Sequence, residues 1–396
     1  MRGVRCRPQH GSMINVSSLL GVRRSASDAL RYGRRRAGEH TPASSTARRP
    51  VVVWNVTRAC NLACTHCYAS AKRRPGPDEL TTAEARAFLD DLAGFGVPAV
   101  LMSGGEPLSR PDLLDLIGYG GERGLRFTLS TNGTLIDPAM ARSLAAVGLV
   151  YAGVSIDGPE QLHDRQRRQA GAYRDSVKGL RNLGDAGVRR GVRFTITPGN
   201  VGGVDDVLDL VAREGIERLC VYHLVPSGRG GLLSDITPAE RLGVLHRVFT
   251  FAESHPEVEV LTVDNPSDGA ALVRWLTVLD PARVDRAREM LEWNAGARGG
   301  PGVGIGCVDE VGLVHPDQFS RHRVLGDIRQ EPFSRIWSEG RDAWLTELRS
   351  AERPLDSACA TCPDLALCGG GMRSRAELAT GDPWAIDPSC SLAGVR

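Results

Sequence analysis

The stretch VVVWNVTRACNLACTHCYAS (residues 51–70) joins an apolar run directly to three closely spaced cysteines. The run has the length and the β-branched content of a buried strand. Cys60, Cys64 and Cys67 follow in the loop that comes after it. Three thiolates suit an iron–sulfur cluster, and a 4Fe–4S cluster held by three cysteines leaves one iron without a protein ligand. The alternative, a structural zinc ion with His66 as fourth ligand, usually shows paired CxxC knuckles.

Further apolar runs follow the first at a regular pace, and helical patterns separate them. The runs span residues 98–104, 125–131, 150–156, 192–198 and 218–224, and the predicted helices span residues 82–93, 111–122, 138–146, 173–186 and 204–213. Thr81 or Thr82 is the expected N-cap of the first helix. Such alternation requires parallel strands joined by right-handed crossovers. We therefore predict an α/β fold, a partial (β/α)6 TIM-like barrel with a small cysteine-rich C-terminal extension, and chemistry at the carboxyl ends of the strands.

The distribution of charge separates the start of the chain from the rest. The chain has 396 residues and a formal net charge of +2, but residues 1–50 hold eleven Arg against two acidic residues, which leaves 38 basic and 45 acidic residues elsewhere. Without sustained apolar periodicity, residues 1–49 are predicted to be a disordered Arg-rich tail. A nucleic-acid arm, a transit peptide, or a start codon assigned too early, with Met13 or a later position as the true start, are the alternatives.

Composition also bears on partners and location. Arg outnumbers Lys by 47 to two, so Arg-rich patches carry little information and no nucleic-acid partner is expected. No stretch approaches the roughly 20 apolar residues of a membrane span, so no membrane association is expected either. The cysteines cluster at two places, unlike the disulfide framework of a small secreted domain, and a reducing cytoplasm is the expected location.

Several motifs together resemble those of a known family, the radical S-adenosylmethionine (radical SAM) enzymes. CxxxCxxC after a first strand is that family's signature, and SGGEPL (103–108), STNGT (130–134) and SIDG (155–158) follow the second, third and fourth strands in order. The resemblance implies a SAM-binding 4Fe–4S cluster on the cysteine triplet. It also implies a cosubstrate pocket lined by Gly104, Gly105, Glu106, Pro107, Asn132, Ser155 and Asp157.

The resemblance further implies a mechanism and the role of three of these residues. In such enzymes the open iron is chelated by S-adenosylmethionine, and one electron cleaves the sulfonium bond to give a 5′-deoxyadenosyl radical that abstracts hydrogen. Glu106 is expected to hold the amino group of the methionine, and Ser155 and Asp157 to reach the ribose or the substrate. The chain is thus expected to be an oxidoreductase or lyase-type enzyme that takes its electron from a donor such as flavodoxin or ferredoxin.

A second cysteine group lies near the C-terminus and resembles the SPASM extension of some radical SAM enzymes. The resemblance implies a second, auxiliary 4Fe–4S cluster on Cys359, Cys362, Cys368 and Cys390. Full extensions bind another cluster, but Met372 and Asp317 stand where its cysteines are expected, so a single auxiliary cluster is predicted. Asp317 as an oxygen ligand is left open. A four-thiolate zinc site is the alternative to the auxiliary cluster. Cys220 and Cys307 are interpreted as ordinary buried thiols.

Further segments resemble the radical SAM enzymes of haem d1 biosynthesis and of didecarboxysirohaem deacetylation in the alternative haem pathway. These segments are residues 130–136, 222–230, 312–319, 325–337 and 368–390. The resemblance implies removal or modification of a propionate or acetate side chain on an iron tetrapyrrole.

Guanidinium forks suit a substrate with several carboxylates, and the candidate arginines are Arg193, Arg229, Arg321 and Arg373. His223 and His315 are candidate ligands of the tetrapyrrole iron. His223 and Tyr222 are the catalytic candidates. The alternatives are a solvated surface position for each arginine, a hydrogen-bonded structural role for each histidine and packing for Tyr222.

The expected domain organisation has four parts. After the tail, residues 50–235 form the barrel core, 236–300 a helical connecting region and 301–396 the SPASM-like auxiliary cluster domain. Two other functions stay open. One is a maturase of ribosomally made peptides that forms a thioether or a crosslink. The other is a non-catalytic iron–sulfur or zinc protein that serves as a scaffold or sensor, although a scaffold has no need of an open iron site.

Overall fold

The computed structural model describes residues 13–23, 49–297, 300–350 and 353–392. Its strands are β1 (Met13–Asn15), β2 (Val51–Asn55), β3 (Val100–Ser103), β4 (Phe127–Thr131), β5 (Tyr151–Ser155), β6 (Arg190–Ile196), β7 (Arg218–His223), β8 (Glu259–Val263), β9 (Ile305–Val308), β10 (Leu313–His315) and β11 (Gly326–Asp327). They form one eleven-stranded sheet in the order β1-β8-β7-β6-β5-β4-β3-β2-β9-β10-β11. Each of β2 to β8 pairs in parallel with the next. This is the predicted partial barrel, and its six predicted strands are confirmed.

Helices cover the outside of the sheet. They are α1 (Val16–Leu19), α2 (Thr82–Phe95), α3 (Leu113–Gly121), α4 (Pro138–Ala146), α5 (Glu160–Arg167), α6 (Ala172–Asp185), α7 (Val204–Arg213), α8 (Pro238–Ser254), α9 (Ser267–Leu279), α10 (Val284–Ala297), α11 (Phe333–Glu339), α12 (Ala343–Arg349), α13 (Ser357–Ala360), α14 (Leu365–Cys368) and α15 (Arg373–Thr380). Short 3₁₀ turns span Pro107–Ser109, Val201–Gly203, Gly228–Leu232 and Pro281–Arg283. Within the part of the chain described, no helix has the length and apolar character needed to cross a membrane.

The first barrel helix shows how local sequence fixes an element. Thr81 is its N-cap, and the Thr81 hydroxyl and the Glu84 carboxylate form a reciprocal capping box. This satisfies backbone N–H groups that have no partner inside the helix. Phe88, on the buried face of α2, packs edge-on against Trp54 of β2 with ring centroids 5.3 Å apart. The apolar face of the helix thereby fixes α2 against the strand that precedes the cysteine loop.

The predicted helical connecting region, residues 236–300, needs a correction because it contains a strand of the barrel. β8 pairs in parallel with β7, and Val263 lies opposite Tyr222. All five residues of β8 are buried. A fully buried five-residue strand shows no alternation of apolar and polar residues, and the longer helical patterns on both sides of it obscured it.

The predicted disordered tail also needs a correction for residues 13–23. β1 pairs antiparallel with β8, and Ser17 joins it there: its hydroxyl donates to Val258 O and accepts from Val260 N–H. Val16 and Leu19 are fully buried. This segment is too short to show a periodicity of its own, and its partner lies more than 240 residues away. Residues 1–12 and 24–48 lie outside the described residues.

The C-terminal part continues the sheet on its other edge. β9 lies parallel to β2, and β10 and β11 follow it antiparallel. Beyond them come short helices, of which α13 and α14 have only four residues each. The region that carries the second cysteine group therefore has little regular structure of its own.

Candidate active site

A cavity opens at the carboxyl ends of the parallel strands. It is lined by residues from β2 to β7, from the loops after them and after β8, and from residues 318–319 of the C-terminal part. In parallel barrels the loops at this end carry the functional groups.

The cysteine triplet forms one side of this cavity. Cys60 and Cys64 are buried, and Cys67 packs against them. Their sulfurs accept hydrogen bonds, over 3.4, 3.4 and 3.5 Å, from Leu62 N–H, the Arg167 guanidinium and Ala71 N–H respectively. Burial raises the pKa of Cys60 to about 12. Thiols spread around a cavity with N–H groups directed at sulfur fit the ligand set of an iron–sulfur cluster, whose properties depend on such hydrogen bonds.

The glycine pair of SGGEPL packs directly on the cysteine loop. Gly105 N–H donates to Thr57 O over 2.8 Å, and Glu106 N–H donates to Ala59 O over 2.7 Å. A Cβ on Gly105 would collide with Ala59 O, and Gly104 has φ +127°. Only glycine permits this approach of two backbones together with this conformation. The two motifs, 40 residues apart in sequence, thus form one surface.

Glu106 is buried and uses its carboxylate within the protein. Oε1 accepts from the Thr131 hydroxyl over 2.7 Å and from Leu108 N–H over 3.2 Å, while Oε2 accepts from Asn132 N–H over 2.8 Å. Gly104, Gly105 and Asn132 line the cavity, whereas Glu106 and Pro107 do not. Glu106 therefore joins the SGGEPL turn to the loop after β4, and its contact with a methionine amino group stays a prediction.

Asp157, in the loop after β5, forms a buried ion pair with Arg167 next to the cysteine triplet. Asp157 Oδ2 lies 2.6 Å from an Arg167 nitrogen and 3.7 Å from His66 Nε2. Burial alone would raise the pKa of Asp157, but the Arg167 charge holds it below its usual range. Burial lowers the pKa of His66 to about 4, so its imidazole is neutral. Ser155 lines the cavity, while Asp157 stands behind its wall and orients Arg167.

Arg229 lines the cavity and also forms hydrogen bonds to the backbone of the cysteine loop. Its guanidinium donates to Cys64 O over 2.8 Å and to Ala71 O over 3.0 Å, and its backbone N–H donates to Cys67 O. One nitrogen, Nη2, is buried and has no hydrogen-bond partner in the described part of the chain. Two of the three guanidinium nitrogens of this predicted substrate residue thus donate to the protein backbone.

The opposite wall comes from β6, β7 and the end of β8. Arg193 lies over the Tyr222 ring, 4.3 Å from its centroid. His223 forms a 2.7 Å hydrogen bond with Asp268. Asp264 directly follows β8, and burial raises its pKa to about 7. All but Asp268 line the cavity.

Three predicted substrate residues lie elsewhere. His315 uses both ring nitrogens, on Asp309 Oδ2 and Arg323 O, and Arg321 pairs with Asp309 and Glu310. Arg373 is fully buried and donates to backbone carbonyl oxygens of Gly370, Pro383 and Ala385. The structure does not bring these three residues to the cavity. In a chain so rich in Arg, position in a loop did not distinguish structural arginines from cavity residues.

The second cysteine group surrounds its own cavity of about 540 Å³. Cys359, Cys362, Cys368 and Cys390 all line it. Burial raises the pKa of Cys368 to about 12. Throughout the described ranges, no three Cys, His, Asp or Glu side chains stand close enough to hold a single metal ion.

The two positions where SPASM cysteines are missing have other structural roles. Met372 packs in an apolar cluster with Val225 and Phe319. Asp317 accepts from Phe319 N–H and Ser320 N–H on Oδ1 and from the Ser374 hydroxyl on Oδ2. Both side chains are thus engaged within the protein.

Sequence reasoning missed two charged residues of the cavity, Arg167 and Asp264. Arg167 is the last residue of α5, the helix that follows SIDG. Because it lies only twelve residues after Ser155, its closeness to the site could have been predicted from the sequence. Asp264 could have been found only by recognising β8, since it is the residue after that strand.

Comparisons with known proteins agree with this geometry. The radical SAM superfamily model matches residues 54–213. Fe-coproporphyrin III synthase of Methanosarcina barkeri is 44% identical over 96% of this chain and 98% of its own length. Pre-heme d1 synthase of Dinoroseobacter shibae is 40% identical over 88% and 87%. The crystal structure of Streptococcus suis SuiB bound to S-adenosylmethionine shares the fold, with a TM-score of 0.66 over 87% of this chain and 77% of that one at 15% identity.

The fold and these matches define the class of protein: the chain belongs to the radical SAM superfamily and is an enzyme. Its relatives include radical SAM enzymes of haem pathways, so the predicted resemblance is confirmed. An enzyme of this superfamily uses a 4Fe–4S cluster and S-adenosylmethionine.

Proposed function

We propose that this enzyme removes or modifies a propionate or acetate side chain of an iron tetrapyrrole in haem d1 or sirohaem-derived haem biosynthesis. The observation that carries the proposal is the 44% identity to Fe-coproporphyrin III synthase over nearly the whole of both chains. A match of that extent includes the C-terminal part and the cavity walls as well as the superfamily motifs. The cavity supports it because Arg193 lines it, and a guanidinium suits a substrate with several carboxylates.

Cys60, Cys64 and Cys67 are the proposed ligands of the SAM-binding cluster. When bound, the cluster and S-adenosylmethionine together supply a 5′-deoxyadenosyl radical that abstracts hydrogen. Gly104, Gly105, Asn132 and Ser155 are the proposed lining of the cosubstrate pocket because they face the same cavity as the thiols. The contribution of the chain is to orient the reactants and to exclude water and stray hydrogen donors.

Glu106 and Asp157 are proposed to act as positioning residues. Glu106 holds the loop of Asn132, and Asp157 holds Arg167 against the Cys64 sulfur. Because both carboxylates are buried and hydrogen-bonded, they fix these neighbours without reorganisation during the reaction.

A second 4Fe–4S cluster is proposed on Cys359, Cys362, Cys368 and Cys390. Four thiols line one cavity, and among the described residues no three Cys, His, Asp or Glu side chains stand close enough to hold one metal ion, which supports a cluster over zinc. The engagement of Met372 and Asp317 elsewhere supports one auxiliary cluster rather than two. Its proposed role is to accept or relay an electron.

The remaining assignments are also proposals. Residues 50–235 and the added strand β8 form the proposed catalytic core, and residues 301–396 the auxiliary cluster domain. Flavodoxin or ferredoxin is the proposed electron donor. The free thiols at both cysteine groups suit the reducing cytoplasm as the proposed location.

Anaerobic reconstitution tests the proposal. Iron, sulfide and zinc are counted in the wild type and in a variant with Cys60→Ala, Cys64→Ala and Cys67→Ala. We expect about eight irons in the wild type and about four in the variant. With S-adenosylmethionine, dithionite and didecarboxysirohaem, only the wild type should form 5′-deoxyadenosine, and the tetrapyrrole should increase it and lose a side chain.

Other outcomes would contradict separate parts of the proposal. About four irons with one zinc in the wild type would replace the auxiliary cluster by a zinc site. Formation of 5′-deoxyadenosine that the tetrapyrrole neither increases nor consumes would favour the peptide maturase. No 5′-deoxyadenosine from a fully loaded wild type would favour the scaffold.

A further inference from the structure

Arg193 lines the cavity, and none of its guanidinium N–H groups has a hydrogen-bond partner among the described residues. Arg193 is a residue of β6, and its guanidinium lies over the Tyr222 ring. This cation–π contact fixes the position of the side chain. Among the residues that the structure describes, no acceptor lies within hydrogen-bond distance and no carboxylate within 4.0 Å of its nitrogens. An arginine that is positioned in a concave site and left unpaired is suited to bind an anion through two parallel hydrogen bonds.

Asp264 lines the same wall of the cavity, directly after β8. It has φ +64°, a conformation that Asp tolerates better than most residues but that still carries strain. The backbone is held from behind, because Arg375 donates to Asp264 O over 2.6 Å and itself forms an ion pair with Asp387. Across the described ranges, no group donates to the Asp264 carboxylate oxygens. The fold thus fixes a strained residue so that its carboxyl group remains available to a ligand.

The charges around Asp264 favour a carboxyl group that carries its proton near neutral pH. Burial raises its pKa to about 7; Arg375 and Arg193 lower the pKa, and Asp317 raises it. Tyr222 and His223 also line this side of the cavity from β7. A protonated carboxyl group is a hydrogen-bond donor, and it does not repel an anion.

We propose that Arg193 and Asp264 form a carboxylate-binding subsite that holds one acidic side chain of the substrate, Arg193 by its charge and Asp264 as a proton-bearing donor. The proposal rests on the proposed function, because a tetrapyrrole of this class carries several carboxylates. Loss of the Asp264 proton removes the donor, repels the ligand and gives Arg193 a competing partner. Substrate affinity therefore falls as pH rises through the pKa of Asp264.

A binding titration tests the subsite without turnover. Reconstituted enzyme, without S-adenosylmethionine or reductant, is titrated with Fe-coproporphyrin III and with its methyl ester at about pH 6 and about pH 8, and the porphyrin absorbance is followed. For the wild type, the affinity for the acid should fall about tenfold between the two pH values, and that for the ester should change little.

The variants separate the two residues. Asp264→Asn keeps a neutral donor and suits a positive φ, so it should bind the acid equally well at both pH values. Arg193→Gln should bind about tenfold more weakly at both, and Arg193→Lys should recover part of the loss. His223→Gln should keep the pH dependence. Iron content and circular dichroism that match the wild type show that each variant is folded.

Three results would overturn the subsite. If the wild type binds the acid but Asp264→Asn keeps its pH dependence, or Arg193→Gln binds as the wild type does, the function stands and the subsite fails. If the loaded wild type binds neither porphyrin at either pH, the tetrapyrrole function fails, and the subsite fails with it.

Discussion

Single buried carboxylates connect parts of the site that lie far apart in the sequence. Glu106 comes directly after the glycine pair, yet its three hydrogen bonds reach Leu108, Thr131 and Asn132. A residue expected to contact the cosubstrate therefore also holds the loop after β4 in place. Its removal should affect folding as well as cofactor binding.

Replacing Glu106 by Ala should lower the free energy of unfolding by about 3 kcal/mol. The reason is that the Thr131 hydroxyl and two backbone N–H groups would be left buried without acceptors, each at a cost of about 1–3 kcal/mol before relaxation. Denaturant unfolding of the anaerobic protein measures the change. Glu122→Ala, on the exposed end of α3, is the matched control and should stay within about 0.5 kcal/mol. Equal losses in the two variants would show that the Glu106 network contributes little.

The buried pair of Asp387 and Arg375 should make stability depend on pH. Burial by itself would raise the pKa of Asp387, but the Arg375 charge and the hydrogen bonds from Arg375 and Met372 N–H together hold the pKa below its usual range. A lowered folded pKa means that the contribution is complete above the ordinary Asp pKa of about 3.9 and is lost as pH falls through the folded value. Wild-type stability should therefore fall steeply below about pH 4.

The contribution of the same pair to the free energy of unfolding near neutral pH can be measured with an Asp387→Asn variant. It should lose about 3–5 kcal/mol, because the Arg375 charge stays buried without compensation. Glu339→Gln, which breaks the exposed pair with Arg335, should change stability little, because solvent screens such pairs. If Asp387→Asn unfolds at the same denaturant concentration as the wild type, the Asp387–Arg375 pair does not contribute to stability as argued.

At the scale of elements, the sequence predicted what is local and missed what depends on distant partners. The six strands of the core and the Thr81 cap could be predicted because periodicity and capping act within a few residues. The cysteine triplet and the glycine pair were also local signals. β8, β1 and Asp264 were missed because their burial comes from contacts across the sheet. The placement of Arg321 and Arg373 depended on partners that no local pattern specifies.

Removing β1 and α1 should destabilise the barrel edge. A chain that starts at residue 24 loses the buried side chains of Ile14, Val16, Leu19 and Leu20 and exposes the edge of β8. Full burial of one such side chain contributes about 1.5–3 kcal/mol, so the net loss should exceed about 2 kcal/mol after the ordering entropy is subtracted. The exposed edge should also promote aggregation.

The chain that starts at residue 24 is compared with one that starts at residue 13, by thermal unfolding for stability and by light scattering for aggregation. The longer chain keeps the segment and serves as the control, and it should match the full-length protein. If both truncated chains behave alike, the pairing of β1 with β8 does not contribute to stability.

At the scale of the whole molecule, the barrel and the C-terminal region differ in what holds them together. The barrel has seven neighbouring parallel strands and an apolar core, to which residues 353–392 contribute Leu367 and Leu392. Residues 353–392 have two four-residue helices and one helix of eight residues. Helices of that length are marginal alone, so this region needs either tertiary contacts or a crosslink. The proposed cluster on four cysteines would supply the crosslink.

Loss of the auxiliary cluster should therefore open the C-terminal region and leave the barrel folded. Cys390→Ser should lower the iron content by about four, and Cys220→Ala, at a buried thiol of β7, should keep it. Hydrogen exchange should show faster exchange in residues 353–392 of Cys390→Ser, with the strands of residues 51–223 still protected, because metal binding there is coupled to local folding. Unchanged iron with unchanged exchange would exclude Cys390 as a ligand. Unchanged iron with a loss of zinc would assign the four thiols to zinc, and uniform loss of protection across the chain would show that the two regions fold as one unit.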